Sequence, residues 1–554
     1  MKKIILPLFF VGVVFFLFFF RIGDIPLWSS DEGRYGEIAR AMWESKDFVV
    51  PRFNGVDYLD KPVLAPLFTS LAYGLFGVNA FATRFIPVLA GLLGILATWF
   101  FAKKLTDKNT ANYAAVLLSA TIGYVLVGRF AVIDMLMTLW LTLSLFCLLS
   151  AYITRKGRYY LWAYLFMGLG FMTKGLIGFV LPGLTYFAFL TWRRELGEIR
   201  HMKIGWGILI IFLVILPWCI AMHFRNPSFL HTFFIDQQFG RFVTGSYGRK
   251  KPFWFFIPIL FATSFPWSLF LPSAVIRGLQ KDNPRQRIVQ FLICWIAVIL
   301  VFFSIPKSKL PYYLLPVSAA VATLLACLFS SWTDIALIAE REKKLLRMTV
   351  ASLAVLCGIA FVGLNITFLF WKRFPEIEPL RPVLFAGTLL LAAGGMAAWF
   401  FVKSGSFRKV IGALTLMIYL SLVLTVFGMQ KITPYQSTVL YAETLKGMLR
   451  EGDKVCVFAS PDNFSDLSFH LRKRIVIAGS DQGTLALESK KLSPQEYAQW
   501  FIYAEPFVEL FNKRSQRIFC LTKEKKMKEL EGLGLKNYRV IKRDHGKVLF
   551  TNVP

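Results

Sequence analysis

Uncharged apolar runs of about twenty residues recur along this chain, and they restrict its fold more than any other feature. A membrane helix needs roughly 20 apolar residues to cross about 30 Å of hydrocarbon. Only helices and closed barrels satisfy their backbone in that medium. The runs far exceed the roughly 10-residue alternating segments of a membrane barrel. The sequence therefore predicts an α-helical polytopic membrane protein. Its 554 residues are 56% hydrophobic, more than a soluble core of this size needs. About thirteen spans emerge, near 4–20, 82–102, 110–127, 131–152, 159–174, 176–192, 205–224, 253–276, 288–304, 311–331, 348–370, 381–402 and 408–428. Met1-Lys2-Lys3 and the apolar stretch after it resemble a signal sequence. No small-residue cleavage site follows, so an uncleaved first helix is expected.

The net charge of +30 could suggest a nucleic-acid partner. The distribution argues against one. Lys and Arg sit mainly in short loops between apolar runs, as the positive-inside rule expects. With the amino terminus inside, alternate loops should be basic. They are, from Lys103, Lys104 and Lys108 through Arg193 and Arg194 to Lys403, Arg408 and Lys409. The same alternation puts three larger features outside: the loop 21–81, the segment 225–252 and a tail from about 430 to 554. This divides the chain into a membrane domain, 1–429, and a soluble α/β domain, 430–554. Amphipathic stretches near 32–46 and 63–78 suit helices along the membrane surface. In the tail, Lys454–Ser460, Arg474–Ala478 and Arg517–Leu521 read as short buried strands. Residues 494–512 and 523–532 have helical spacing. Cys456 and Cys520 both fall in the tail, where an oxidising compartment would permit a disulfide.

The polar residues with chemical potential gather on the outer side. The loop carries Trp28-Ser29-Ser30-Asp31-Glu32-Gly33-Arg34-Tyr35 and later Tyr58-Leu59-Asp60-Lys61-Pro62. Carboxylates beside aromatic rings suit a sugar, because a carboxylate orients hydroxyls or acts as a base. Equally, Ser30 or Asp31 could simply begin a helix. Asp134 lies toward the outer end of a span; a carboxylate at membrane depth costs up to roughly 2.5–3.5 kcal/mol and needs a partner or a function. Arg129, or a residue on another helix, could be that partner. Lys174, Arg241, Arg249, Lys250, Lys251, Lys307 and Lys309 run against the inside bias. Outer cations are placed to grip a lipid phosphate or pyrophosphate, or ordinary head groups.

Trp28–Tyr35, Tyr58–Pro62, Thr173-Lys174-Gly175 and Lys309-Leu310-Pro311-Tyr312-Tyr313-Leu314-Leu315-Pro316 occur in order. Together they resemble the bacterial branch of the protein O-mannosyltransferase-like glycosyltransferases, which have the GT-C fold. Within it they are similar to the lipid A aminoarabinose transferases. The resemblance implies a polyprenyl-phosphate sugar donor, usually undecaprenyl phosphate, and transfer at the periplasmic face of the inner membrane. It implies catalytic roles for Asp31 and Asp134, and donor-phosphate contacts from Lys61, Lys174, Lys309, Tyr312 and Arg241. Glu32, Tyr35, Tyr58 and Asp60 would contact the sugar or shape the loop. The acceptor expected is lipid A phosphate, with a protein or another glycan as the alternative. A lipid-linked-sugar transporter is the non-enzymatic alternative; it would place charges near the midplane. Two departures stand out. Asp60-Lys61 replaces a Glu-Lys pair, and Gln237-Gln238 replaces a Glu-His pair. The family's histidine can help hold zinc, and glutamine is a poor zinc ligand. Zinc is therefore not expected at this position, no cofactor is called for, and the need for another divalent metal stays open.

Overall fold

Every one of the apolar runs becomes helical in the computed structural model, which describes residues 2–240, 251–332, 339–370 and 378–553. Eight single helices are long and apolar enough to cross a membrane, among them Ala80–Leu105, Ile133–Thr154 and Ile204–Arg225. Two further runs are bent pairs. Lys108–Ser119 meets Ile122–Gly128 at 62°, and Phe253–Thr263 meets Trp267–Gly278 at 106°. With each pair taken as one span, up to ten among the described residues pass this test of length and composition, against the thirteen expected. The difference lies in helix length. Arg158–Lys174 and Ile177–Arg193 have 17 residues each, and Lys2–Phe19 begins with two lysines.

These helices belong mostly to one unit, formed by residues 1–20, 86–374 and 380–428. Pro311–Ser331 and Ile133–Thr154 are its most interior spans, with 89% and 83% of their apolar windows buried. Ile204–Arg225 is peripheral, at 22%. Its Trp206, Phe212 and Leu213 point outward, an apolar face of the kind hydrocarbon covers. Polar groups inside this unit serve the helix ends. Asp107 accepts from the Asn109 and Thr110 N–H groups, capping Lys108–Ser119. Arg129 donates to the carbonyls of Leu17, Phe18 and Phe20, which the end of Lys2–Phe19 leaves without helical partners.

The second unit combines the loop 21–85 with the tail 429–554. The amphipathic stretches of the loop are the helices Asp31–Ser45 and Leu64–Phe76. Between them lies a hairpin of β1 (Arg52–Phe53) and β2 (Val56–Asp57), turned by Asn54-Gly55 with both φ positive. The Asn54 amide then pairs with the backbone of Ile475, donating to its carbonyl and accepting from its N–H. Leu27, Ala39, Tyr73 and Ala82 share a small core with Phe469 of the tail.

The tail holds a six-stranded sheet in the order β5-β4-β3-β6-β8-β7. Its strands are β3 (Lys454–Phe458), β4 (Val476–Ala478), β5 (Phe501–Ile502), β6 (Ile518–Lys523), β7 (Arg539–Asp544) and β8 (Lys547–Thr551). The first four run parallel, and β8 and β7 add antiparallel. The helix expected over 494–512 is two helices, Pro494–Trp500 and Ala504–Lys513, interrupted by β5. Pairing of Phe501 with Ile477 at the sheet overrides the helical spacing there. Cys456 and Cys520 are register partners on β3 and β6, yet both remain free, buried thiols. Burial pushes the Cys456 thiol up to about 12, so it behaves as core rather than as a nucleophile.

Candidate active site

In the loop-and-tail unit, Asp31 is the first residue of the Asp31–Ser45 helix. Ser30 precedes it at φ 76° and ψ −113° and makes no side-chain cap. The simple N-cap reading therefore fails for Ser30. A non-glycine residue in this region is strained and persists only when its surroundings hold it. Asp31 pairs with Arg34 one turn along, and Arg34 also donates to Asp462 at 2.9 Å. Burial works against the Arg34 charge, but Tyr58, Asp31, Tyr35 and Asp462 outweigh it and hold its pKa well above the ordinary value. The guanidinium lies 5.3 Å from the centre of the Tyr35 ring.

Glu32 has a different fate from its neighbour. It is 2% exposed and takes two parallel hydrogen bonds of 2.7 Å from Arg84. It also accepts from the Trp28 N–H at 3.1 Å. Arg84 in turn donates to the carbonyls of Ile22, Ile25 and Pro26. This pair fixes the entry of the loop. Asp60 bridges two groups, accepting from the Tyr58 hydroxyl at 2.9 Å and from Lys61 at 2.8 Å.

In the helical unit, Asp134 pairs with Lys174. Helix geometry explains the meeting. Ile133–Thr154 and Arg158–Lys174 form a hairpin with a short turn between them. Asp134 sits in the first turn of one helix and Lys174 ends the other. Each charge complements the dipole of its own helix end. The Lys174 ammonium also lies 4.6 Å from the centre of the Tyr313 ring, and Tyr312 meets Tyr313 edge-on. Lys309 is almost fully enclosed, donating to the carbonyls of Pro306 at 2.6 Å and Lys251 at 3.2 Å. Burial lowers its pKa. Arg241 lies outside the described residues, as do Arg249 and Lys250 and the side chains of Gln237 and Gln238. Among the described residues no cluster of three or more His, Cys, Asp or Glu side chains is arranged to hold a metal ion.

The structure thus joins Asp31 to Arg34, Tyr58 to Asp60 and Lys61, and Asp134 to Lys174 and Tyr313. Sequence reasoning missed Arg84, Asp462 and Asp466. Asp466 is fully buried and accepts from Ser29 at 2.5 Å, Ser437 at 2.8 Å and the Thr438 N–H at 2.6 Å. Its only sequence signal is a carboxylate inside the apolar-polar alternation of a short helix.

A family model described as dolichyl-phosphate-mannose-protein mannosyltransferase matches residues 60–220. The undecaprenyl phosphate-alpha-4-amino-4-deoxy-L-arabinose arabinosyl transferase of Pseudomonas paraeruginosa is 32% identical over 401 residues, covering 70% of each chain. The chain belongs to this arabinosyl transferase family. A second member, from Pseudomonas fluorescens, is 33% identical over 345 residues. That match takes in 61% of this chain and 59% of the relative's length. The crystal structure of ArnT from Cupriavidus metallidurans bound to undecaprenyl phosphate aligns with a TM-score of 0.84 at 23% identity, over 99% of this chain and 98% of that one. The apo Archaeoglobus fulgidus oligosaccharyltransferase aligns at 0.51 and 12% identity, over 96% of this chain and 72% of that one. Both likenesses establish the fold, a helical multi-pass membrane protein of the GT-C type.

Proposed function

We propose that this protein is a glycosyltransferase that moves an aminoarabinose-like sugar from undecaprenyl phosphate to a phosphate of lipid A. The observation that carries the reading is the 32% identity, over 70% of each chain, with a transferase named for that donor and sugar. In the reaction an acceptor oxygen bonds to the anomeric carbon. The bond from that carbon to the donor phosphate breaks, and undecaprenyl phosphate leaves with the electron pair. Negative charge on the leaving phosphate calls for cations, and positive charge on the sugar carbon calls for a carboxylate. Asp31 takes the second task. Its exposure, 23% at the side chain, leaves it reachable where Glu32 is not. An acceptor phosphate is already anionic and needs no strong base. Lys61, Lys174, Lys309, Tyr312 and Arg241 are assigned to the donor phosphate and its lipid, and Asp134 holds the Lys174 ammonium in place. Tyr35, Tyr58 and Asp60 are assigned to the sugar and loop. The reaction is placed at the periplasmic face of the inner membrane, with the amino terminus cytoplasmic and the tail periplasmic.

The test uses purified full-length protein in detergent with undecaprenyl phosphate-aminoarabinose and lipid A. Lipid A gaining the mass of one sugar is the expected result, and no transfer would refute the reading. Comparing lipid A with periplasmic glycoproteins in a deletion strain identifies the acceptor. Loss of sugar from glycoproteins alone would replace lipid A with a protein.

A further inference from the structure

The strained start of the Asp31–Ser45 helix is held from the tail as well as by its own first turn. Ser30 has no cap of its own, and its φ of 76° is unusual for a residue with a Cβ. Two consecutive residues at this point make three hydrogen bonds to the tail. The Ser29 hydroxyl donates to Asp466 at 2.5 Å. The Ser29 N–H donates to the Gln436 carbonyl at 2.9 Å. The Ser30 carbonyl accepts from the Ser465 hydroxyl at 2.8 Å. One residue beyond Asp31 and Glu32, Gly33 approaches the backbone so closely that a Cβ there would lie 2.4 Å from the Asp466 nitrogen.

Asp462 acts one step further out. Its Oδ1 takes the Arg34 guanidinium at 2.9 Å and the Thr484 hydroxyl at 2.8 Å, while Oδ2 takes the Thr484 N–H at 3.1 Å. A carboxylate fixed by two bonds to its own domain holds the guanidinium in one place. The same guanidinium pairs with Asp31. Asp466 is anchored similarly, by Ser437 and Thr438, and it reaches the residue two before Asp31.

We propose that Asp462 and Asp466 are positioning residues for Asp31. Asp466 fixes the backbone from which the Asp31 side chain projects, and Asp462 fixes the cation beside its carboxylate. Neither touches the sugar. The inference rests on the reading of Asp31 as the group that faces the donor sugar. It deepens that reading by making the tail part of the catalytic apparatus rather than an appendage.

Asp462→Ala and Asp466→Asn in the full-length protein test it, with Asp462→Glu as the conservative control. Transfer kinetics and the thermal midpoint are measured together in detergent. Displacing a reacting group by about 1 Å costs about 10²-fold in rate. The expected result for Asp462→Ala is a kcat loss of about that size, with the donor KM and the midpoint nearly unchanged. Asp462→Glu should recover much of the loss. Asp466 is fully buried, so its variant alone could merely unfold; Asp462, at 21% side-chain exposure, keeps the test decisive. Normal kcat in folded Asp462→Ala protein would overturn the proposal, as would a raised donor KM with kcat intact. Wild-type protein failing to transfer sugar in the same assay would instead overturn the functional reading, and this inference with it.

Discussion

The two carboxylate centres are built by opposite means. In the helical unit, Asp134 and Lys174 meet because two sequence-adjacent helices form a hairpin and place first and last turns together. In the loop-and-tail unit, Asp31 shares its arginine with an aspartate whose partner lies 428 positions away. The first centre is local and supported by helix dipoles. The second depends on the tail docking onto the loop. Adjacent residues within the second sharpen the contrast: Asp31 is partly exposed beside a shared cation, and Glu32 is sealed against Arg84.

The largest effect should separate those two neighbours. Asp31→Asn keeps the shape and removes the charge. It should lower transfer by about 10²–10³-fold while the thermal midpoint holds. Glu32→Gln should do the reverse. It leaves Arg84 buried without its countercharge, which costs about 3–5 kcal/mol of stability. Activity per folded molecule should survive. A stable but inactive Glu32→Gln protein would erase the distinction and move Glu32 into the chemistry.

The local pair invites a double-mutant cycle. Lys174→Met and Asp134→Asn should each destabilise, because each leaves one enclosed charge without its partner. The double variant should regain part of the loss, a coupling of about 0.5–3 kcal/mol. It should still fail to transfer sugar if the lysine also serves the donor phosphate. Full activity in the stable double variant would make the pair purely structural.

A smaller effect is expected where the helix meets the tail. Gly33→Ala pushes a methyl into the Asp466 backbone and should cost about 1–3 kcal/mol, read as a lower unfolding midpoint. Strain there should propagate to Asp31, so kcat should fall with it. An unchanged midpoint would show that loop and tail are not tightly seated.

Much of the helical unit was legible in the sequence, because a membrane segment declares itself by twenty residues of composition. The pairing of Asp134 with Lys174 was within reach too, since both fall at one end of neighbouring spans. The bends within two of the runs were not. Hydropathy does not register the bends at Ala120 and Phe265 or the shortness of a 17-residue helix. The loop motif announced chemistry but not its support. Nothing around Asp462 or Asp466 marks either as a partner of residues near the amino terminus. Such long-range pairing leaves no periodicity to read. The same limit hid β5, whose two residues become a strand only through β4.

The smallest effect concerns pH and the loop-and-tail contact. His470 stands 3.6 Å from the Asp466 carboxylate and donates to the Leu27 backbone, with Lys446 and Glu443 also acting on it. Burial lowers its pKa; Asp466 opposes the shift and Lys446 adds to it. A histidine held neutral in the fold binds its proton more readily when unfolded. Its contribution is therefore complete above the ordinary imidazole value of about 6.5. It is lost as pH falls from there toward the lower folded value. The thermal midpoint should decline modestly over that window, and His470→Gln should flatten the decline without altering the midpoint's plateau shape above it. A wild-type midpoint that rises on acidification would mean that Asp466 dominates, and that the proton tightens the grip on Ser29 rather than loosening it.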